Sequence, residues 1–252
     1  MQRSKPELPT KDAQLRQCLR EFSKDHPRWG WRKAHWHMQN NGMVINHKKV
    51  QRLWREEQLR VPAKRRKKCR RGKQVSVVAE YKNHVWAADF QMDQTTDAKR
   101  LKFFNVIDEY TRESLLSFVS RSITAEDVAV LLDNLVALRG QEPGFIRFDN
   151  GPEFTADAIA KWVDNKTTNT TFIDPGSPWQ NGRCESYNGI FRDEILNREL
   201  FDDVYEAQII TDGWQSVYNN LRPHGSLGGK TPNTFAATCN NQPLGTQPIK
   251  TL

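Results

Sequence analysis

The sequence lacks the features that mark several protein classes. Its 4 cysteines are scattered and form no Cys-x-x-Cys pair, which argues against a disulfide framework and against a zinc site built on cysteine pairs. No apolar run approaches the ~18 residues that a membrane span needs, and no signal peptide is visible. We therefore expect a cytoplasmic protein that has no membrane partner.

The charge balance is basic, with 38 Lys and Arg against 30 Asp and Glu and a net charge of +8. Such an excess favours a polyanionic partner, because each cation placed on a phosphate releases condensed counterions. A merely basic protein without such a partner fits the same numbers. The 252 residues suffice for one large domain, or for a medium one with a smaller companion.

Residues 1–62 have the pattern of a small all-α domain that contacts DNA. Thr10 can cap a first helix, a second helix over 31–41 ends at an Asn-Gly pair, and Asn46 can cap a third. The third helix carries cations on one side, namely Lys48, Lys49, Arg52 and Arg55. A helix, a glycine turn and a basic helix together indicate a helix-turn-helix. An ordinary helical hairpin with a solvated basic face is the alternative.

A basic linker is predicted over residues 63–80, because nothing in its densest part can be buried. Its cations include Lys64, Arg65, Arg66, Lys67 and Lys68. A solvated charge run is the ordinary interpretation of such a segment. Its position between two candidate nucleic-acid modules favours contact with phosphates.

Residues 81–201 change to short apolar runs, which predict strands over 84–90, 103–107 and 115–119. Helices and strands then alternate: a helix over 124–139, a strand over 145–148, a helix over 155–165, a strand over 170–173 and a helix over 181–198. This order is that of the ribonuclease-H-like α/β fold, a mixed five-stranded sheet with helices on both faces. Residues 202–252 predict one amphipathic helix over 203–221 and a loosely ordered tail.

Three carboxylates stand out by their placement. Asp89 ends the first predicted strand, Asp149 follows the fourth, and Glu185 lies in the first turns of the helix that starts near Asn181. The spacing of 35 residues between Asp149 and Glu185 is weak evidence alone. At 100° per residue, Glu185, Asn188 and Arg192 share one helix face, opposite the residues that anchor the helix. We expect Asn188 to support the carboxylate site.

Converging carboxylates repel one another, and divalent cations relieve that repulsion. Mg²⁺ prefers hard oxygen ligands and keeps waters or phosphate oxygens in its shell. Two such ions can activate the attacking oxygen and stabilise the leaving oxygen of a phosphodiester. The pattern therefore predicts that Asp89, Asp149 and Glu185 hold Mg²⁺ or Mn²⁺ as two ions. Surface acids or helix caps are the alternative interpretation.

Several segments resemble a known family. They are WAADF at 86–90, DNGPEF at 149–154 and GSPWQNGRCESYNG at 176–189, with HPRWG at 26–30, VQRLW at 50–54 and YNNLRPHGSLGGKTP at 218–232. These segments are similar to the retroviral-integrase-like transposases of bacterial insertion sequences. The resemblance is to the second-reading-frame product of the family named after insertion sequence 3.

The resemblance implies an integrase core that uses a DDE triad, here Asp89, Asp149 and Glu185, with Mg²⁺. Such enzymes hydrolyse one strand at the element's end, and the freed 3′-hydroxyl then attacks another phosphodiester. The family often places a basic residue seven positions after the glutamate, where this sequence has Arg192. An arginine there could clamp a DNA phosphate, although an ion pair on the helix surface is an alternative.

The resemblance also implies partners. These are the DNA of the element ends and of the target, further copies of the chain in the DNA complex, and an upstream helix-turn-helix and leucine-zipper module joined by translational frameshifting. The sequence shows no sustained heptads of its own, so we expect end recognition to depend on that module. It also implies a nucleoid-associated bacterial protein.

Other residues carry expectations about local structure. Asn150 and Gly151 are expected to shape the turn that exposes Asp149, because both tolerate positive φ. Asp108 is expected to end the second strand without a catalytic role, and His224 to be structural. Two other functions stay open: a catalytically inactive DNA-binding regulator, and a ribonuclease-H-like nuclease that only hydrolyses.

Overall fold

The computed structural model describes residues 12–59, 61, 77–148, 157–164, 166–172 and 182–239. The chain divides into two compact units. The helical unit comprises Met1–Lys68 and Pro223–Lys230, and the sheet unit comprises Cys69–Arg222 and Thr231–Leu252. Within the described ranges, no helix is both long enough and apolar enough to cross a membrane.

The helical unit contains α1 (Ala13–Asp25), α2 (Trp31–Asn40) and α3 (His47–Glu56). Asn46 caps α3 as predicted, since its side chain accepts a hydrogen bond from the backbone N–H of Lys48 at 2.8 Å. The predicted cap Thr10 lies outside the described residues. Apolar side chains from all three helices form the core: Leu19, Phe22, Ala34, Met38, Val50, Leu53 and Trp54.

The segment Pro223–Lys230 belongs to this unit and requires glycine where it meets α2. Gly229 has φ of +87°, and a Cβ atom there would lie 2.4 Å from Cδ1 of Trp36. Asn40 donates a hydrogen bond from Nδ2 to the Gly229 carbonyl at 3.1 Å. Only a residue without a side chain can adopt this backbone conformation so close to the indole ring.

The expectation of a loosely ordered tail is wrong for the described residues that follow Asn220. Besides the segment above, α8 (Pro232–Thr238) forms in the sheet unit, with Thr231 as its N-cap and Pro232 at its first turn. Proline suits a first turn because its missing N–H would have no helical partner there. Glycine and proline, which suggested disorder, here serve close packing and helix initiation.

The sheet unit is built on five strands: β1 (Val85–Gln94), β2 (Arg100–Asp108), β3 (Ser114–Ser120), β4 (Phe145–Phe148) and β5 (Asn169–Phe172). Their spatial order is β3-β2-β1-β4-β5. The first three pair antiparallel, while β4 lies parallel to both β1 and β5. Short turns can join the antiparallel strands, whereas parallel strands need helical crossovers, so the predicted mixed sheet follows from the chain order.

Helices cover both faces of the sheet. They are α4 (Ala125–Arg139), α5 (Asp157–Asp164), α6 (Gly182–Phe191) and α7 (Val204–Asn220). Thr124 starts α4 with a capping box, in which Thr124 and Asp127 each accept a hydrogen bond from the other's backbone N–H. Because side chains alternate along a strand, Trp86 and Ala88 face α4 and α5, while Ala87 packs with α6 and α7.

A π-helical turn over Arg192–Leu196 ends the helix that the sequence extends to residue 198. It brings Glu194 into the interior, where the carboxylate accepts hydrogen bonds from Trp214 at 3.2 Å and from Nε of Arg222 at 3.0 Å. The extra residue in a π turn rotates the side chains that follow it. Glu194 in this turn forms a buried ion pair with Arg222, which lies two residues after the end of α7.

Candidate active site

Asp89 lies within β1 and not at its end, which corrects the prediction. The strand continues to Gln94 because its antiparallel pairing with β2 extends over that whole length, and Asp89 pairs with Asn105. The described parallel pairing with β4 reaches only Ala87, opposite Arg147. Asp89 therefore lies two residues beyond the last described pair with β4, where an acidic side chain can be partly exposed.

Hydrogen bonds fix the Asp89 carboxylate on two sides. Its Oδ1 accepts the backbone N–H of Phe90 at 2.8 Å, and its Oδ2 accepts Nδ2 of Asn188 at 2.6 Å. The second bond joins β1 to α6 across 99 positions of sequence. Asp89 itself is half-buried.

Glu185 lies in the first turn of α6 and is exposed. The helix is anchored by Cys184, Tyr187 and Phe191, all of which are buried against the sheet. Asn188, one turn after Glu185, reaches Asp89. Tyr187 and Phe191 therefore lie on the anchored side, as predicted, and Asn188 on the other side is the residue that meets β1.

Three further predicted site residues directly follow β4 in the sequence. Asp149, Asn150 and Gly151 lie outside the described residues, and Asp149 directly follows Phe148, the last residue of β4. Among the described residues, no group of three acidic, His or Cys side chains is arranged to hold a metal ion. Of the three predicted metal ligands, Asp89 and Glu185 are described, and carboxylate oxygen is the donor type that Mg²⁺ prefers.

Behind Asp89 lies a set of buried polar side chains that the sequence did not predict. Asn188 Oδ1 accepts hydrogen bonds from Gln91 Nε2 at 2.9 Å and from Asn105 Nδ2 at 3.4 Å. Asn105 in turn accepts from Ser117 Oγ at 2.9 Å. Two signals could have found them: Gln91 shares the strand face of Asp89, and Asn105 is a lone polar residue in the apolar run of β2.

Tyr187 of α6 also hydrogen-bonds to this set of polar side chains through Ser117. Its hydroxyl lies 3.0 Å from Ser117 Oγ and 2.7 Å from Ser114 Oγ, and burial raises the pKa of its phenol far above the ordinary value. Each partner is buried. Buried polar groups need such partners, because an unpaired donor or acceptor costs about 1–3 kcal/mol.

Positive groups lie near α6 at both ends. Arg192 is exposed after its last residue and donates to the Met92 carbonyl at 3.4 Å. At the other end, burial and the charge of nearby Arg183 lower the pKa of Arg112, which has φ of +65°. Arg112 Nε is buried without a hydrogen-bond partner in the described part of the chain. The charges of nearby Glu109 and Asp108 act in the opposite direction and raise the pKa of Arg112.

Asp108 is structural, as predicted. It ends β2, is fully buried, and accepts backbone N–H groups of Asn83, Tyr110 and Thr111 at 2.7, 2.8 and 3.0 Å. Burial raises the pKa of its carboxyl even though these three donors favour the charged form. The residue therefore closes the turn that follows β2.

The cations of α3 differ in how they are engaged. Lys49 pairs with Asp12 at 2.7 Å, and Arg52 pairs with Asp12 at 3.3 Å and with Glu56 at 3.2 Å. Lys48 and Arg55 are exposed, and both line a shallow groove on this helix. The predicted linker cations Lys64, Arg65, Arg66, Lys67 and Lys68 lie outside the described residues.

Comparison with known proteins supplies three further findings. Models of the integrase core domain match residues 79–178 and 166–232, and a model of an HTH-like domain matches residues 10–67. An uncharacterized 39.2 kDa protein of insertion element IS476 from Xanthomonas euvesicatoria is 37% identical over 237 residues, covering 93% of this chain and 68% of the relative. A 31.7 kDa protein of insertion element IS407 from Burkholderia multivorans is 35% identical over 223 residues, covering 87% and 79%.

The fold is also found among solved structures. A chain of the simian T-cell lymphotropic virus intasome, solved by electron cryomicroscopy with a regulatory subunit of PP2A, matches 93% of this chain and 80% of its own length with a TM-score of 0.56. The sequences are only 15% identical, so the likeness concerns the fold alone. It supports the predicted ribonuclease-H-like sheet, since the match includes the integrase core region.

Proposed function

Since the chain belongs to the insertion-sequence transposases with an integrase core, in the family named after insertion sequence 3, we propose that it cuts and joins DNA strands. We propose that the site of this reaction is formed by Asp89, Asp149 and Glu185. A transposase or integrase catalytic role follows from the family. The proposal adds the residues, the metal ions and the order of the two strand reactions.

One observation carries the proposal: the 2.6 Å hydrogen bond from Asn188 to Asp89. It brings the helix of Glu185 against the strand of Asp89, with Glu185 one turn from the contact. The register of β1 and β4 supports the third member, because the pair Ala87 and Arg147 precedes Asp89 and Asp149 by two residues each. Asp89 on a strand and Glu185 on a helix, with Asp149 directly after β4 in the sequence, would supply oxygen ligands to divalent metal ions.

The carboxylates would hold two Mg²⁺ or Mn²⁺ ions, which supply Lewis-acid activation of the attacking oxygen and stabilise the charge on the leaving oxygen. The contribution of the chain is to keep the ligands in place. The bonds from Phe90 and Asn188 hold Asp89 in one orientation, and the buried anchors of α6 fix the backbone that carries Glu185. Water would attack first, and the 3′-hydroxyl so released would then attack a second phosphodiester.

Basic residues would bind the DNA backbone on both units. Lys48 and Arg55 are exposed cations of α3 that form no ion pair within the described part of the chain, so we assign them the main phosphate contacts there, with Lys49 and Arg52 secondary. Lys64–Lys68 and Arg192 complete the set. Phosphate contacts of this kind make affinity fall steeply with salt, which a binding titration at several salt concentrations would check.

We further propose that the chain acts as a homo-multimer on paired element ends. An upstream helix-turn-helix and leucine-zipper module, fused by frameshifting, would supply recognition of those ends. Two DNA ends need two active sites, which is the reason for more than one copy. Sedimentation of the chain with and without end DNA would test this, and a monomer in the active DNA complex would contradict it.

The decisive experiment measures nicking and joining of supercoiled plasmid with Mg²⁺ or Mn²⁺. We expect the wild-type chain, fused to the upstream module where needed, to give both products. Asp89→Asn, Asp149→Asn and Glu185→Gln should each lose them by at least about 100-fold, because each removes a charged metal ligand.

Asp93→Asn is the matched control. Asp93 lies on the same strand face as Asp89, and its carboxylate likewise accepts the next backbone N–H at 2.8 Å. It should keep full activity. Nicking without joining would instead favour a hydrolytic nuclease. A DNA-binding regulator would be favoured if the fused protein neither nicked nor joined DNA and if its DNA binding were unchanged by all four substitutions.

A further inference from the structure

Besides Asp89, Asn188 has hydrogen-bond partners on β1 and β2, and these connect to further buried side chains. The side chains concerned form a series that we call the donor chain: Ser114, Tyr187, Ser117, Asn105, Asn188 and Asp89. Gln91 joins it at Asn188. Asn105, Ser117, Ser114 and Tyr187 are each at most 3% exposed, so water cannot complete their hydrogen bonds.

The direction of every bond in the donor chain follows from its last member. A carboxylate can only accept, so the Asn188 atom 2.6 Å from Asp89 is its NH₂ group. The other amide atom of Asn188 is then the carbonyl oxygen, and Gln91 and Asn105 must both present NH₂ groups to it.

The same reasoning continues to the far end. Asn105 has turned its NH₂ towards Asn188, so its oxygen accepts the hydroxyl hydrogen of Ser117. Ser117 has only that hydrogen to give, so it accepts from Tyr187, which in turn accepts from Ser114. If the Asn188 amide were reversed, its NH₂ group would face the NH₂ groups of Gln91 and Asn105. Its carbonyl oxygen would then face the Asp89 carboxylate.

We propose that Gln91, assisted by Asn105, is a positioning residue that holds Asn188 with its NH₂ group towards Asp89 and so keeps Asp89 ready to bind metal. This inference rests on the proposed function. Gln91 makes the shorter of the two bonds to the Asn188 oxygen, 2.9 Å against 3.4 Å, and is therefore the stronger holder. It is 6% exposed and contacts Asp89 only through Asn188 in the described hydrogen bonds.

Two substitutions of Gln91 separate the loss of the bond from its reversal. Gln91→Met removes the donor while keeping length and burial. Gln91→Glu puts a carboxylate oxygen against the Asn188 oxygen, which favours the reversed amide. We expect the Mn²⁺ concentration for half-saturation to rise about threefold in the first and ~10-fold or more in the second, as for other residues that orient a metal ligand.

The readout is Mn²⁺ binding to the full chain without DNA, measured by electron paramagnetic resonance of the free ion, together with the thermal midpoint. A residue that only supported the fold would lower the midpoint without shifting the binding curve. Joining activity as a function of Mn²⁺ is the second readout. There the variants should recover towards the wild-type rate at high metal concentration, because positioning is impaired while the ligands remain.

The control is Gln94→Glu, which adds the same charge to the same strand at an exposed position. It should bind Mn²⁺ like the wild type. If the Mn²⁺ concentration for half-saturation rose equally in Gln91→Glu and Gln94→Glu, the added charge alone would explain the effect and the inference would be overturned. Tighter Mn²⁺ binding by Gln91→Glu would also overturn it. So would Mn²⁺ binding like that of the wild type in both Gln91 variants. If Asp89→Asn binds Mn²⁺ as well as the wild type, the proposed function fails together with the inference, which distinguishes that failure from the others.

Discussion

The two faces of the sheet are built from the same strands but differ in what they bury. The face under α4 and α5 packs side chains such as Trp86, Phe104 and Phe148, and its cluster is apolar. The face under α6 and α7 buries an aromatic cluster and, next to it, the polar donor chain that ends on Asp89. Apolar contacts on the first face stabilise the fold but do not orient individual groups. Hydrogen bonds on the second face fix the orientation of particular groups.

This comparison suggests a division of roles within one sheet. Apolar contacts are non-directional, so they hold the strands together but cannot orient a carboxylate. A hydrogen-bonded amide has a defined direction, and a reversed amide meets like groups. We expect changes on the first face to alter stability alone, and changes on the second to alter the site more than the stability.

The largest loss of stability is expected from Phe104→Ala on the apolar face. Phe104 is fully buried, and its removal leaves a cavity that should cost about 3–5 kcal/mol of unfolding free energy. Urea denaturation of the full chain would measure it, with Val130→Ala on the exposed side of α4 as the control. The Mn²⁺ half-saturation of the remaining folded protein should not move. A shift there would break the comparison.

A smaller loss is expected from Tyr187→Phe on the polar face. The phenyl ring keeps its packing, but Ser114 and Ser117 lose a shared partner in a buried place, which should cost about 1–2 kcal/mol. Denaturation would measure this loss against Tyr205→Phe, where the ring is exposed and no change is expected. If the two variants were equally stable, the donor chain would contribute nothing to the fold of this face.

The smallest effect is expected from alkaline pH. Burial raises the pKa of both Tyr187 and Tyr218 in the folded chain, so the neutral phenols stabilise the fold below the unfolded pKa of about 10 and lose that contribution as pH rises through it. At pH 10 each tyrosine should account for about 0.4 kcal/mol of lost unfolding free energy.

Denaturation at pH 8 and at pH 10 would measure this loss, and in Tyr187→Phe the loss should be smaller by about 0.4 kcal/mol, the amount that Tyr187 contributes. A variant that lost as much stability as the wild type between the two pH values would contradict the assignment of Tyr187 to the buried polar face. The comparison between variants matters because lysines also titrate in this range.

Much of the fold was predictable from local patterns. Short apolar runs located the strands, Asn46 and Thr124 marked helix starts, and the apolar side of α6 placed Glu185 and Asn188 on one face. Boundaries were less accurate. β1 extends past Asp89 because β2 pairs with it to Gln94, a long-range interaction that the sequence of β1 does not contain.

The donor chain and the order around the terminal glycines could not be predicted. Asn105 looked like an isolated polar residue in a strand, and its partners lie on β3 and α6. Gly229 lies in the tail that was predicted to be loosely ordered. Its close approach to Trp36 could not be predicted, because Trp36 belongs to a helix far away in sequence. In both cases the residue is visible in the local sequence, but its interaction partners are distant in sequence.

The sequence by itself therefore determined the order of helices and strands, the face of each that is buried, and the residue types able to hold a divalent cation, because these depend on periodicity and on side-chain chemistry. The tertiary structure alone decided which amide meets Asp89, which way that amide points, and which cations of α3 are already paired with Asp12 and Glu56. Hydrogen bonds and ion pairs act over about 3 Å, and only folding brings residues as distant as Asp89 and Asn188 within that range.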